Sequence, residues 1–209
     1  VYVKPQRHQT INISKEIKPN YMQKNALESL DNLRKNNKDK ALLISATGTG
    51  KTYLAAFDVK AVHPKRILFV VHRRSIAIKA METFKTIIKD KSMGLFSGDN
   101  RDIDCDYIFA TIQTIYKPEN RQLFSKEEFN YIIIDEVHEA GANSYQELVN
   151  YFKPQFLLGM SATPERSDDF DIYKMFDYNI AYEIRLQQAM EYDLLCPFHY
   201  YGITDMTID

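Results

Sequence analysis

Between a short apolar run, Ala41-Leu42-Leu43-Ile44, and a helix-prone run opening with Tyr53-Leu54-Ala55-Ala56-Phe57, the chain places Ser45-Ala46-Thr47-Gly48-Thr49-Gly50-Lys51-Thr52. A buried strand that turns through two glycines into a helix start constrains the fold more than any other stretch of the 209 residues. Gly48 and Gly50 let the backbone bend until successive N–H groups face inward, and the helix N-terminus adds its partial positive charge. Lys51 can then reach terminal phosphates, and Thr52 offers a hydroxyl to Mg²⁺. These are the parts of a polyphosphate cradle. Ser45 stands where the strict pattern of such a loop has Gly, so the assignment leans on context: strand before, helix after, acidic partners downstream. A glycine-rich turn with a chance lysine is the plain alternative.

Such a loop sits at a strand end of a layered α/β sheet, and the rest of the chain fits one. From Asn20, Met22, Ala26, Leu27, Leu30 and Leu33 repeat at helical spacing and give way to the polar stretch 35–40. Ile67-Leu68-Phe69-Val70-Val71 is apolar throughout, a helical pattern follows over 75–90, and further strand-like runs lie at 107–110, 131–134 and 156–160. Strands apolar on both faces and separated by helices predict a mostly parallel central sheet flanked by helices. After Asp168 the pattern changes, with a run at 178–184, a short helical pattern through Met190 and a strand-like Phe198-His199-Tyr200-Tyr201. Tyr and Phe number 26 and read as core and strand residues rather than a stacking platform.

At 44% hydrophobic and 26% charged, the chain can bury one good core, or a core plus a piece of another. No apolar run approaches membrane-spanning length and no signal peptide opens it, so the expectation is a soluble, cytoplasmic protein with no membrane partner. Cys105 and Cys196 are far apart and lack metal-ligand spacing, which fits free thiols. Starting at Val1 rather than Met, the sequence reads as a trimmed or excised piece. Residues 1–100 hold 19 of the 27 Lys and Arg but only 8 of the 28 Asp and Glu. That asymmetry suits a basic patch on a polyanion, and solvated surface charge explains it equally well.

The second constellation is Ile132-Ile133-Ile134-Asp135-Glu136-Val137-His138. Two acids directly after a buried strand lie at the carboxyl edge of the sheet, where the glycine loop also opens. Asp135 can hold Mg²⁺, and Glu136 can orient and deprotonate an attacking water. A helix start, where acids suit the dipole, is the bland alternative.

With Ala46-Thr47-Gly48-Thr49-Gly50-Lys51-Thr52, Asp135-Glu136-Val137-His138 and Ser161-Ala162-Thr163-Pro164 in this order and spacing, residues 17–209 resemble superfamily 2 DEAD/DEAH-type helicases, in the branch of type III restriction-enzyme motor subunits. The resemblance implies a RecA-like P-loop NTPase domain using ATP and Mg²⁺. Its nucleotide site would comprise Gln23, Thr47, Gly48, Thr49, Gly50, Lys51 and Thr52, with Thr52 and Asp135 on the metal and Lys51, Asp135 and Glu136 catalytic. Gln23 is then the adenine reader, since a side-chain amide both donates and accepts. His72, Arg73 and Arg74 after one strand, and Thr111 and Thr114 after the next, would meet a nucleic-acid strand, although helix capping also explains the threonines. His138, Ser161 and Thr163 would couple nucleotide state to strand grip. The implied organisation is a lead-in with the adenine-motif helix over 1–38, the ATP-binding domain over 39–184, and a segment over 185–209 leading toward a second RecA-like domain. That second domain supplies arginines across the cleft in this family, so the 209 residues alone are expected to be nearly inactive; Arg166 is in no family position for the role.

Two functions remain open on this reading. One is an ATP-driven motor on nucleic acid, DNA favoured over RNA by the Asp-Glu-Val-His variant. The other is a nucleotide-dependent regulatory switch or binding module on the same fold.

Overall fold

The computed structural model describes residues 17–46, 48–137, 143–162 and 171–184. In chain order the elements are α1 (Tyr21–Lys35), β1 (Lys40–Ser45), α2 (Lys51–Val62), β2 (Ile67–Val71), α3 (Arg74–Ile87), β3 (Met93–Ser97), β4 (Asn100–Arg101) and β5 (Tyr107–Thr111). There follow α4 (Ile112–Ile115), α5 (Pro118–Arg121), β6 (Tyr131–Asp135), α6 (Asn143–Tyr151), β7 (Phe156–Ser161), α7 (Ile172–Met175) and β8 (Ile180–Ile184). The lead-in 1–16 and the segment 185–209, with Met190 and Cys196, lie outside the described residues.

The strands form one sheet in the order β4-β3-β5-β2-β6-β7-β1-β8. Every pairing is parallel except that of the two-residue β4 with β3. This is the expected mostly parallel α/β sheet, and its cause is visible in the strands. Alternate residues feed two separate cores. Leu43, Phe69, Phe109, Ile133 and Leu158 pack with α1, α2 and α3. Leu42, Leu68, Ile108, Ile132 and Leu157 pack with Ile112, Leu148, Phe152 and Phe176 on the other face. A strand covered on both faces has no polar side to show, which is why these runs are continuous rather than alternating.

Two helices bear directly on the site. α1 opens with a reciprocal cap: the Asn20 side chain accepts from the Gln23 N–H (2.8 Å), and the Gln23 side chain accepts from the Asn20 N–H (3.0 Å). Ala26 and Leu30 then carry α1 into the same core as the sheet. α2 is enclosed by α1, α3 and the sheet, and six successive residues, Leu54 to Val59, are buried. Asp58 is among them.

The structure moves several boundaries. α2 begins at Lys51, not Tyr53, and α3 ends at Ile87 rather than 90. β3 and β4 were not anticipated. Within the run at 178–184, β8 pairs in parallel with β1 and forms the sheet edge. The β1–β8 register is irregular between Leu42 and Leu43.

Candidate functional site

Three neighbouring strands, β6, β7 and β1, end side by side at the carboxyl edge. Asp135 is opposite Met160 in β7, and Ser161 is opposite Ile44 in β1. The loop after β1 and the acids after β6 thus open on the same edge, with Ser161, fully buried, on the strand between them.

In the loop, Gly48 and Gly50 both take φ of 85°, the left-handed conformation that glycine adopts without strain. The Ser45 and Thr49 hydroxyls lie 2.5 Å apart, and Thr49 Oγ1 donates to the Ala46 carbonyl (2.8 Å). Ser45 therefore occupies its unusual position usefully, bracing the loop through its hydroxyl. Lys51 Nζ donates to the carbonyls of Ser45 (2.8 Å) and Ala46 (3.4 Å). Burial pulls the Lys51 ammonium below its ordinary pKa, against the nearby negative charges of Glu136 and Asp135. Gln23 Nε2 donates to the Gly50 carbonyl (3.3 Å), which fixes the α1 glutamine against the start of α2. With one bond already made at each end of its amide, Gln23 keeps one N–H and one lone pair free for an adenine edge. Beside it, Met22 and Tyr182 pack with Ala46 and Ile184, and Tyr182 Oη donates to Met22 Sδ (3.2 Å).

Asp135 is pushed up to about 6 by burial and then by the Glu136 carboxylate, with Lys51 and the Glu136 N–H pulling the other way. Its Oδ1 accepts that N–H at 3.1 Å. Glu136 itself has φ of 53°, an uncommon conformation for a glutamate and one that turns the chain sharply as it leaves β6. A buried oxygen ligand whose ionised form is disfavoured is what a hard divalent cation would relieve, and hydroxyl plus carboxylate is a donor set suited to Mg²⁺. The residues present therefore fit the nucleotide and the metal. A hollow of about 620 Å³ lies at the opposite edge, lined by Arg34, Lys38, His63, Lys65 and Tyr131 among others.

The residues expected on a nucleic-acid strand divide in two. Arg73 and Arg74 are exposed at the start of α3, and Arg74 Nη2 donates to Asn100 Oδ1 (2.7 Å) in the β3–β4 turn. His72 is half-buried after β2, and its Nδ1 has no partner among the described residues. Thr111 and Thr114 instead turn their hydroxyls inward. Both are buried and lie 3.0 Å apart, Thr111 donates to Ser97 Oγ (3.0 Å), and Thr114 accepts from the Gly98 N–H (3.3 Å). Neither Thr111 capping nor an outward hydroxyl is seen, because β3 supplies partners that the sequence reading lacked. Thr47, His138 and Thr163, with Pro164 and Arg166, lie outside the described residues. A group missed altogether is Arg34, Asp58 and Tyr131, bonded together beneath α1 and α2.

A family model described as "Type III restriction enzyme, res subunit" matches residues 16–166. The type I restriction enzyme EcoAI endonuclease subunit of Escherichia coli is 29% identical over 196 residues, covering 86% of this chain and 23% of its own. The putative ATP-dependent helicase IRC3 of Saccharomyces cerevisiae is 30% identical over 168 residues, covering 72% and 24%. The chain thus spans about a quarter of the length of these relatives. Among solved structures, a nuclease-deletion mutant of the Type ISP restriction-modification enzyme LlaGI, in complex with a DNA substrate mimic, matches 85% of this chain and 21% of its own with a TM-score of 0.66 at 20% identity. The Hef helicase domain of Pyrococcus furiosus matches 74% and 36% with a TM-score of 0.60 at 19% identity.

Proposed function

Since the chain belongs to the family of type III restriction enzyme res subunits, we propose that it is the first motor domain of an ATP-driven motor on nucleic acid, with DNA as the favoured track. The observation that carries the reading is electrostatic: Lys51 and Asp135 come from two strand ends yet each shifts the other's ionisation, and the Glu136 carboxylate acts on both, so the three groups lie within one site.

In this reading Gln23 binds the adenine edge, and the backbone of Gly48 to Thr52 cradles the phosphates together with Thr47. Lys51 exchanges its loop carbonyls for phosphate oxygens. Thr52 and Asp135 would hold Mg²⁺, which would supply positive charge to offset that of the phosphates. Glu136 orients the attacking water and takes its proton as the terminal phosphoryl group moves to that oxygen. Ser161, between the two halves of the site, transmits nucleotide state with His138 and Thr163. Arg73, Arg74 and His72 face the track. The inward hydroxyls of Thr111 and Thr114 leave those residues to shape the surface rather than bond to it through side chains.

Phosphate release by the intact protein, with and without single-stranded DNA, duplex DNA or RNA, tests this. DNA-stimulated turnover that Lys51→Ala abolishes is expected. RNA-only stimulation rejects the DNA preference, and nucleotide binding without nucleic-acid-stimulated turnover favours a switch. An arginine supplied across the cleft is typically worth about 10³–10⁵ in rate, so the 209 residues alone should turn over slowly by that factor.

A further inference from the structure

α1 is fastened to α2 at two points. Near its start, Gln23 bonds to the Gly50 carbonyl. Near its end, Arg34 Nη1 and Nη2 donate to Asp58 Oδ1 and Oδ2 at 2.9 and 2.5 Å. Eleven residues on a helix fall within about 20° of three full turns, so Gln23 and Arg34 lie on one face, about 16 Å apart along the axis. Ala26 and Leu30, both wholly buried, lie on that face between them. Tyr131, the first residue of β6, closes the lower contact by donating to Asp58 Oδ2 (2.6 Å) and accepting from Arg34 Nη2 (3.1 Å). The guanidinium also lies over the Phe156 ring, 4.2 Å from its centre.

Stability alone does not call for this arrangement. Two helices are held together as well by apolar residues as by a buried ion pair, and Arg34 Nε finds no acceptor among the described residues. What the pair adds is geometry, because a two-pronged guanidinium–carboxylate contact accepts a single register where greasy surfaces accept several. The elements it ties are those that carry the site: α1 with Gln23, α2 with Gly50 to Thr52 at its start, and β6 with Asp135 at its end.

We propose that Arg34 and Asp58 are positioning residues that set the register of α1 on α2, and thereby the height of Gln23 over the phosphate loop and the preference for adenine. The proposal rests on Gln23 as the base reader. A slip of one residue moves the glutamine about 1.5 Å along the axis, enough to break a hydrogen bond to a base edge.

The test uses the intact protein and compares kcat and KM for ATP and GTP. The paired substitution Arg34→Met with Asp58→Leu keeps the contact packed and leaves no lone buried charge. It should raise KM for ATP about tenfold, leave kcat and the GTP constants nearly unchanged, and so erase about tenfold of selectivity, the worth of one hydrogen bond to a ligand. Gln23→Ala should erase the same share of ATP-over-GTP selectivity, and adding it to the pair should remove no further selectivity. Arg34→Lys keeps the charge without the fork, and about threefold of selectivity should go. If Gln23→Ala abolishes selectivity while the paired variant, or Arg34→Lys where the pair does not fold, retains it, positioning is overturned and the base reader stands. If Gln23→Ala leaves selectivity intact, the base-reading assignment falls and the positioning role falls with it.

Discussion

Replacing Asp135 with Asn should stabilise the metal-free protein while weakening its nucleotide complex. Burial and the adjacent Glu136 carboxylate raise this group from 3.8 to about 6, and with the residue only 8% exposed, water screens little of the effect. Because the folded value lies above the unfolded one, the folded state holds the extra proton between about pH 4 and 6. Stability therefore falls as pH rises through that window, and above it the ionised carboxylate costs the fold about 3 kcal/mol. Asn keeps the shape and the acceptor for the Glu136 N–H. It also takes one compensating charge from Lys51, so the net gain at pH 8 should be about 1–3 kcal/mol, shrinking to nothing near pH 4. Urea unfolding in EDTA at pH 4, 6 and 8 measures both curves. Equal stability at pH 8, or a gap as wide at pH 4 as at pH 8, would refute the argument from burial and repulsion. Adding Mg²⁺ and ADP at a hundredfold excess over Kd should stabilise the wild type by about 2.7 kcal/mol and the variant by much less.

Three further outcomes are expected. Glu136→Gln in the intact protein should bind ATP as before and hydrolyse it about a hundredfold more slowly in phosphate-release assays, and near-normal turnover would remove Glu136 as the base. Gly50→Ala forces a left-handed alanine whose Cβ would lie 2.9 Å from Gln23 Nε2; calorimetry should show weaker nucleotide binding, and unfolding a loss of about 1–2 kcal/mol. Gly159→Ala would set a Cβ 2.3 Å from the Phe176 ring under β7, so its urea midpoint should drop by the equivalent of about 1–3 kcal/mol, while an unchanged midpoint would mean that α7 yields freely.

The sheet was legible because its strands are buried on both faces and so spell continuous apolar runs, as Ile67 to Val71 does. β3 escaped because Met93-Gly94-Leu95-Phe96-Ser97 is short and carries a glycine, and that glycine is there for a reason: a Cβ on Gly94 would meet Asp102 and Cys105 within 3 Å. The phosphate loop could be read since its chemistry is local in sequence. The orientation of Thr111 and Thr114 could not, since it depends on Ser97 and Gly98, which belong to the strand that went unseen. Asp58 was equally silent. In a helix read only for periodicity, a buried aspartate looks like an exposed one until Arg34, 24 residues away, is found to meet it.

The two edges of the sheet follow from its direction. With all but one pairing parallel, the long strands start at one edge and finish at the other, and the polar groups at the two edges are treated differently. At the starting edge they are paired: Arg34 with Asp58 and Tyr131, and Arg66 with Glu128 and the carbonyls of Ile103 and Cys105. At the finishing edge Asp135 is raised, Lys51 is lowered, Glu136 is held at positive φ, and His72 Nδ1 lacks a partner among the described residues. The unfavourable terms at the finishing edge thus lie where a polyanion with its cation would offset them, whereas at the starting edge the charges are matched within the chain even though Arg34 Nε finds no acceptor among the described residues. Arg34 belongs to the first group by location and to the second by consequence, because a rigid α1 carries its register up to Gln23. Elements that span both edges tie the site to that paired end, and the Arg34–Asp58–Tyr131 contact joins three of them, α1, α2 and β6.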